Sequence, residues 1–375
     1  MFKLKFKSRS VHKIVKGNFK MAKIAVVGAG PSGSSTGYHL AKNGHHVTLI
    51  DKESFPRDKA CGDGITAKAV RALTKMGIDY EYLKKLASEY YLWNSSIISY
   101  YSQEYHQEYS DWSICIPRYI FDNIIYEKAI DAGCIHHQQS VTNISQFRSN
   151  FKHEFDYIVD ARGIFAGECN VIGIREYWTL PIELFPHYYH YNIQVYLEQE
   201  LGSQELGSNG YLWIFPVGLN DKLLKINVGL GLSLKDYERR GTNLIRFFDE
   251  FVVRHHVAGK FLDNVVTRTR KKVYPLATTK WNNKIYENNI FKVGDAANLT
   301  DPVTGEGIHN AIASGFYLAQ AINMSEDIES VKINYQKFYQ KYFQKKLRTR
   351  LLQEKMLSLP VLRNFLLYKI GKLSK

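Results

Sequence analysis

The chain has 375 residues, longer than one hydrophobic core ordinarily serves, and its 45% hydrophobic and 14% aromatic content excludes a disordered or fibrous protein. The net charge of +14 sits at the ends: residues 1–23 hold eight Lys or Arg and no acid, residues 332–375 hold twelve and one acid, and residues 24–331 are left at −5. A nucleic-acid enzyme more often places its basic patch on the folded body, so no nucleic-acid partner is expected, whereas basic ends with interspersed apolar residues suit an anionic membrane surface or plain solvated tails.

Residues 1–20 read either as an organelle transit peptide or as an extension ahead of a start at Met21; they lack the apolar core of a secretory signal. Lys23–Val27 is predicted as a buried strand running into glycine, Ser32–Asn43 as a helix ended by Gly44, and Val47–Asp51 as a second, parallel strand. Helices are expected over Ala67–Met76 and Ile120–Ala132, and a short strand over Phe155–Asp160. From 171 to 285 aromatic and β-branched residues dominate, as in Tyr188–Leu197, Gly210–Phe215 and Lys225–Leu230, which predicts an antiparallel sheet. A strand at Ile290–Val293, a helix over Gly305–Ile322 and a mostly helical segment 328–375 broken at Pro360 complete the chain. No run of eighteen apolar residues exists, so a cytoplasmic protein with peripheral membrane contact is expected.

The fold class expected is α/β, α+β overall: a discontinuous Rossmann-like domain (22–85, 116–170 and 286–325), an inserted antiparallel substrate domain (86–115 and 171–285), a C-terminal basic helical segment (326–375) and a basic extension (1–21). Cys61, Cys115, Cys134 and Cys169 form no C-x-x-C pair. The histidine pairs 45–46, 136–137 and 255–256 lack a completing carboxylate spacing, so no metal is expected.

Gly28-Ala29-Gly30-Pro31-Ser32-Gly33 stands between a predicted strand and a predicted helix. Gly28 permits the tight turn, Gly30 the approach of a pyrophosphate, and Gly33 close helix–strand packing. Asp51 ends the second strand, with Lys52 beside it, where a carboxylate can accept ribose hydroxyls. This unit serves NAD or FAD equally. Val293-Gly294-Asp295 followed by Asp301-Pro302-Val303-Thr304-Gly305-Glu306-Gly307-Ile308 favours FAD: a strand-end carboxylate suits a ribityl hydroxyl, and the next helix would point its N-terminus at the flavin. Tyr211, Trp213 and Phe215 alternate along a strand, so their rings share a face suited to a long apolar chain or to ordinary core packing. Cys61 reads as a reactive or a plain buried thiol, and Arg57 and Arg118 as phosphate ligands or surface charges.

Three segments resemble the geranylgeranyl reductase family of FAD-dependent oxidoreductases, which shares the aromatic-hydroxylase fold: Phe55-Pro56-Arg57-Asp58-Lys59-Ala60-Cys61-Gly62-Asp63-Gly64, Gly210-Tyr211-Leu212-Trp213-Ile214-Phe215-Pro216, and Gly294–Gly307. Arg118 with Phe121-Asp122, and Asp160-Ala161-Arg162-Gly163, match weaker family patterns. The resemblance implies that Arg57 and Arg118 lie near FAD, that Asp160 and Gly163 join the cofactor site, that Asp295 binds the ribityl chain, and that Cys61 and Gly62 pass beside the isoalloxazine. It further implies that Tyr211, Trp213, Phe215 and Pro216 line a prenyl pocket. Many members have glycine where Asp63 stands, and an acidic version occurs among bacterial members acting on prenyl quinones. The substrate therefore stays open between a geranylgeranyl lipid and a prenyl quinone. Cys61, Asp63 and Tyr211 are the catalytic candidates, with His309 a further one for proton transfer. A flavin monooxygenase or halogenase on the same fold is the alternative, although Tyr211 and Phe215 depart from the halogenase pattern. A flavin-binding protein without activity is a third reading. No second glycine fingerprint is present, so NAD(P)H would bind transiently or a ferredoxin-type carrier would deliver electrons.

Overall fold

The strand Lys23–Val27 has four of its five residues buried, because helices cover both faces of the sheet it centres. The structure, a computed structural model, describes residues 21–359 apart from 101–102, 167–168, 186–191, 198–199, 202–203, 206–209, 221 and 242. The extension 1–20, the start of the expected Tyr188–Leu197 strand and the break at Pro360 lie outside the described residues. Lys23–Val27 pairs in parallel with His46–Asp51 on one side and Tyr157–Asp160 on the other. Ile135–Gln138 and Ile290–Lys292 extend the sheet in parallel, and Tyr286–Glu287 adds an antiparallel edge, making six strands.

The first crossover is the helix Pro31–Ala41, with proline in its first turn where a missing N–H costs nothing. It is buried on almost every side, since Ser32, Gly33, Ser34, Ser35, Thr36 and Gly37 are small enough to admit neighbours from all directions. One neighbour is the helix Ile308–Asn323. A Cβ on Gly315 would lie 2.6 Å from the Ser32 carbonyl oxygen and 2.9 Å from the Thr36 nitrogen. Ser35 Oγ donates to the Ile312 carbonyl at 2.8 Å. This second helix begins at Ile308 and not at Gly305, because Gly305 is held in the left-handed region at φ +68° and the Asp301 carboxylate accepts the amides of Val303 and Thr304 in a separate turn.

Among the described residues the second sheet has nine strands, including the hairpin Tyr91–Tyr100 and Gln103–Cys115 and the long strands Val171–Pro181, Tyr211–Leu219 and Leu223–Ser233. It is not wholly antiparallel: Tyr91–Tyr100 runs parallel to Asn192–Tyr196. Those strands come from distant parts of the chain, so no hairpin forces them to oppose. One face is covered by the helix Leu244–Arg254, whose buried Leu244, Phe247, Phe248, Phe251 and Val252 follow the i, i+3, i+4, i+7, i+8 spacing of a helix. The aromatic texture of this stretch reads as strand only if that spacing is overlooked.

The C-terminal segment is no solvated tail as far as it is described. Ile328–Tyr339, a π turn at Gln340–Gln344 and Lys345–Leu357 form one continuous helical rod. Val331, Tyr335, Tyr339, Phe343, Leu347 and Leu351 are all buried, a strict four-residue spacing. Such a stripe drifts by roughly 40° per step around a 3.6-residue helix. The wider π turn takes back part of that drift and keeps the stripe on the body. Among the described residues, no helix is long and apolar enough to cross a membrane.

Replacing Gly315 with alanine inserts a methyl group between two backbones that cannot yield. The expected outcome is a loss of about 1–3 kcal/mol, read as a lower denaturant midpoint at unchanged slope. An unchanged midpoint would show that the two helices can separate at no cost.

Candidate functional site

The close crossing of these two helices brings two uncapped N-termini to one cavity. Gly30 precedes the first helix and Gly307 the second, and neither end carries a side-chain cap. The leading backbone N–H groups are thus left for a ligand, and the helix dipoles favour an anionic or electron-rich one. The cavity, about 1740 Å³, is lined by Gly28, Gly30, Pro31, Ser32, Asp51, Lys52, Arg57, Cys61, Gly62, Arg118, Gly163, Asp295, Pro302, Gly305, Gly307 and Ile308. Gly28 adopts φ +105°, and a Cβ there would lie 2.3 Å from the Ala161 carbonyl oxygen. Gly33 does not line the cavity; its Cβ would lie 1.8 Å from the Gly28 carbonyl oxygen, so it permits the turn to fold onto the helix. Gly294, at φ +60°, likewise packs against Ser32.

Several charged candidates are held by one another. Arg118 grips Asp122 with two hydrogen bonds of 2.6 and 2.7 Å, and Arg57 Nη1 lies 2.9 Å from the same carboxylate. Burial opposes the charge on Asp122, but the two guanidiniums hold its carboxyl below the usual range. Arg118 is buried in this pair, whereas Arg57 leans over Gly30, its Nη2 3.1 Å from where a Cβ would be. Asp51 accepts the Ala29 amide at 2.7 Å and the Glu53 amide at 3.0 Å, which ties the glycine turn to the second strand. Asp160 is buried off the cavity and holds Arg162, whose Nη1 reaches the Thr142 carbonyl at 2.7 Å. Asp295 accepts Thr300 Oγ1 at 2.7 Å and lies 3.5 Å from Lys59 Nζ.

The aromatic strand forms another part of the wall. Tyr211, Trp213 and Phe215 line the cavity, while Leu212 and Ile214 join the core behind the sheet and Pro216 is buried with them. Trp213 lies flat across a floor of glycines: a Cβ at Gly229 would come within 2.2 Å of the indole, and those at Gly173 and Gly231 within 3.8 Å. Its Nε1 donates to Asn227 at 2.8 Å. Phe215 packs on Gly62, and the Tyr211 hydroxyl donates to the Thr304 carbonyl at 2.7 Å.

Of the three catalytic candidates, Asp63 does not reach the cavity. It is fully buried at φ +65°, a region that favours glycine, and is held there by Tyr177 OH at 2.6 Å, Asn227 Nδ2 at 2.7 Å and the Arg118 amide at 3.2 Å. It anchors the loop and, through Asn227, the plane of Trp213. Tyr211 has committed its proton to Thr304. Cys61 lines the cavity, and its carbonyl accepts Asn227 Nδ2 at 2.6 Å. His309 is half-buried beside Asn310 and is not part of the wall. Sequence reasoning missed Arg175, whose guanidinium lies 2.6 Å from Asp58, and the partners Tyr177 and Asn227, while Asp122 was named only as part of a pattern with Arg118. It also missed Lys346, Arg350, Glu354 and Leu357, which line the cavity from the C-terminal helix at one-face spacing. That spacing was the available signal.

Residues 21–157 match the FAD-binding domain family. The chain is 26% identical over 361 residues to the digeranylgeranylglycerophospholipid reductase of Methanocaldococcus jannaschii, covering 89% of this chain and 86% of that protein. It is 24% identical over 335 residues to the menaquinone reductase of Mycobacterium tuberculosis, covering 80% and 76%. A solved geranylgeranyl bacteriochlorophyll reductase-like protein from Thermoplasma acidophilum superposes with a TM-score of 0.71 at 20% identity, over 95% of this chain and 91% of that one. A flavin-dependent brominase superposes at 0.68 with 16% identity, over 94% of each. FAD is the cofactor, and the two uncapped helix ends around the glycine turn fit it.

Burial pushes the Asp63 carboxyl up to about 6, with Tyr177, Arg175, Asn227 and Arg118 pulling the other way. Its folded value lies above its unfolded one, so it favours the folded state while protonated, and that contribution is lost as pH rises through about 6. The unfolding free energy of wild type relative to Asp63→Asn is expected to fall by up to ~3 kcal/mol between pH 4 and pH 7. Parallel denaturation curves for the two proteins across that range check it; a constant difference would refute it.

Proposed function

We propose that this chain, an FAD-dependent oxidoreductase similar to the geranylgeranyl reductases, reduces carbon–carbon double bonds of an isoprenoid chain borne by a lipid or a quinone. The observation that carries this reading is the continuity of one cavity, from the uncapped helix ends at Gly30 and Gly307 to an apolar wall of Trp93, Ile193, Val195, Leu197, Trp213 and Phe215. Residues 22–85, 116–170 and 286–325 would act as the FAD-binding domain, and 86–115 with 171–285 as the substrate-binding domain.

Bound FAD, once reduced, supplies the hydride. The turn Gly28–Gly33 with Arg57 would hold the pyrophosphate, Asp51 the ribose and Asp295 the ribityl chain. Gly62, Gly305 and Gly307 would let backbone approach a flat ring closely. Trp213, fixed by Asn227 and its glycine floor, would present a flat apolar surface to the isoprenoid and keep water from it. The Tyr211 hydroxyl holds the Thr304 end of the 301–307 loop in place. Proton delivery to the second carbon falls to the Cys61 thiol or to water, since the protons of Tyr211 and Asp63 face away from the cavity or are already donated. Electrons would come from NAD(P)H or a ferredoxin-type carrier, and the basic C-terminal segment would favour peripheral contact with an anionic membrane.

Anaerobic incubation of the FAD-loaded protein with a reductant and a prenylated lipid or quinone is expected to add two hydrogens per reduced double bond, read by mass spectrometry. No mass gain with either class would sink the proposal. Oxygen uptake coupled stoichiometrically to substrate would favour a monooxygenase or halogenase, whose fold the brominase shares. Trp213→Ala is expected to lower kcat/KM for a long prenyl chain by about 10–100-fold, mainly through KM, while leaving the flavin spectrum unchanged.

A further inference from the structure

The loop 55–64 is anchored to the second sheet at two points. Arg175 and Tyr177 rise from one face of the strand Val171–Pro181, two residues apart, and their heads stack, the guanidinium carbon 4.0 Å from the ring centre. The two Asp58 carboxylate oxygens accept Arg175 Nη2 at 2.6 and 2.7 Å. Asp58 Oδ2 also lies 2.8 Å from Nζ of Lys272, which stands opposite Arg175 on the strand Lys272–Leu276. Asp63 Oδ2 accepts the Tyr177 hydroxyl at 2.6 Å. Two carboxylates five residues apart are thus held by two side chains in contact. Fully extended, the backbone from Asp58 to Asp63 would span about 17 Å. With both feet fixed so close together, residues 59–62 must bow into an arch.

The arch faces the cavity: Asp58, Lys59, Ala60, Cys61 and Gly62 all line it. One shoulder reaches Asp295, the carboxylate proposed for the ribityl chain. Lys59 Nζ lies 3.5 Å from Asp295 and 4.5 Å from the centre of the Tyr274 ring. The other shoulder rests on the aromatic wall. The Cys61 carbonyl accepts Asn227 Nδ2 at 2.6 Å, and a Cβ on Gly62 would lie 2.9 Å from the Phe215 ring. The arch is therefore a spacer between the two halves of the site. Its feet differ. Asp63 shares Asn227 with Trp213, whereas Asp58 is clamped between two cations on the far strands. Burial works against the Asp58 charge, but Lys272 and Arg175 hold its carboxyl below the usual range. Arg175 is itself buried, so loss of the Asp58 charge would leave a buried cation uncompensated at that end.

We propose that Asp58 is a positioning residue: through Arg175 and Lys272 it fixes the arch 59–62, and the arch sets the gap between the flavin ring and Trp213 in which the isoprenoid double bond lies. The proposal deepens the reading of the chain as an isoprenoid reductase and rests on it for the reaction that the gap serves. A misplacement of about 1 Å at the reacting atoms costs on the order of a hundredfold in rate. A carboxylate gripped by two cations is a strong and directional tether. Loosening it frees the arch at one foot and leaves Trp213 where Asn227 and its glycine floor hold it.

The test compares the full-length, FAD-loaded wild type with Asp58→Asn, Asp58→Glu and Lys272→Gln. The first readout is alkylation by iodoacetamide, followed cysteine by cysteine by mass spectrometry. Asp58→Asn is expected to speed alkylation of Cys61 about tenfold relative to half-buried Cys169, while buried Cys115 and Cys134 stay protected. The second readout is steady-state reduction of a prenylated lipid or quinone. There kcat is expected to fall about 10–100-fold and KM to stay within about twofold. Asp58→Glu, which keeps the charge, is expected to recover most of both effects. Lys272→Gln, which leaves the Arg175 pair in place, is expected to shift both in the same direction by less, and it decides alone if Asp58→Asn does not fold. Unchanged Cys61 alkylation in the variants overturns the clamp, as does exposure of Cys115 and Cys134 in step with Cys61, the mark of general loosening. If Cys61 alone is unmasked but wild type reduces neither lipid nor quinone, the reductase reading fails and the clamp stands. If wild type reduces either and the variants match its kcat, the positioning role fails and the reductase reading stands.

Discussion

The crossing of the helices Pro31–Ala41 and Ile308–Asn323 is the constraint on which the site depends. Their backbones approach until Gly315 faces the Ser32 carbonyl with no room for a side chain. Two consequences follow from that contact. The N-termini, which would otherwise point to separate parts of the surface, open onto one cavity. The loop 301–307 that leads into the second helix is also carried to the aromatic strand, where Thr304 accepts the Tyr211 hydroxyl. Helix ends supply positive potential without a charged side chain to desolvate, which suits a site that must also accept an apolar chain.

Most of the carboxylates around this site act on the protein. Asp51 fixes the glycine turn, Asp122 locks two arginines, Asp160 holds Arg162, and Asp63 spans the loop 55–64 and the sheet through Tyr177 and Asn227. Each is buried or half-buried with its donors in place, the condition under which a buried charge stabilises a unique geometry. The reacting region is left with glycines, aromatic rings and a thiol. A cavity so furnished offers little acid–base chemistry and much shape, consistent with a protein whose cofactor performs the chemistry.

The central strands of the parallel sheet and its glycine turn were legible in the sequence because Lys23–Val27, His46–Asp51, Tyr157–Asp160 and Ile290–Lys292 are apolar runs that end at or just before a glycine or an aspartate, whereas the edge strand Ile135–Gln138, with two histidines and little burial, gave no such signal. The residues Gly28, Gly30, Asp51 and Asp295 were placed by spacing to a strand end and Arg57 by the family resemblance, and all line one cavity. Asp63 was misjudged for a physical reason: an acid in a glycine-rich loop looks catalytic, and only three-dimensional packing reveals that three donors enclose it. Its partners Tyr177 and Asn227 lie more than a hundred residues away, on strands whose register no local pattern fixes. The helix Leu244–Arg254 was hidden by phenylalanines that favour strands in isolation, although their spacing was helical. The C-terminal helix looked like a tail because its charge masks its stripe of buried residues.

That stripe has a consequence for how the chain can change. A helix fixed to the body by one residue in four, and re-phased once by the π turn at Gln340–Gln344, works as a vernier. The number of residues before the turn sets where the later ones face, to within a step of about 100°. Deleting one residue within the turn would restore ordinary α-helix and leave Lys346 and Arg350 facing the cavity, whereas deleting one from the α-helix just beside it would swing both away by about 100°. Substitutions on the outer face leave this setting alone, and changes of length outside the turn do not. The rim of the cavity is thus tuned by residue count in a segment that touches the site nowhere.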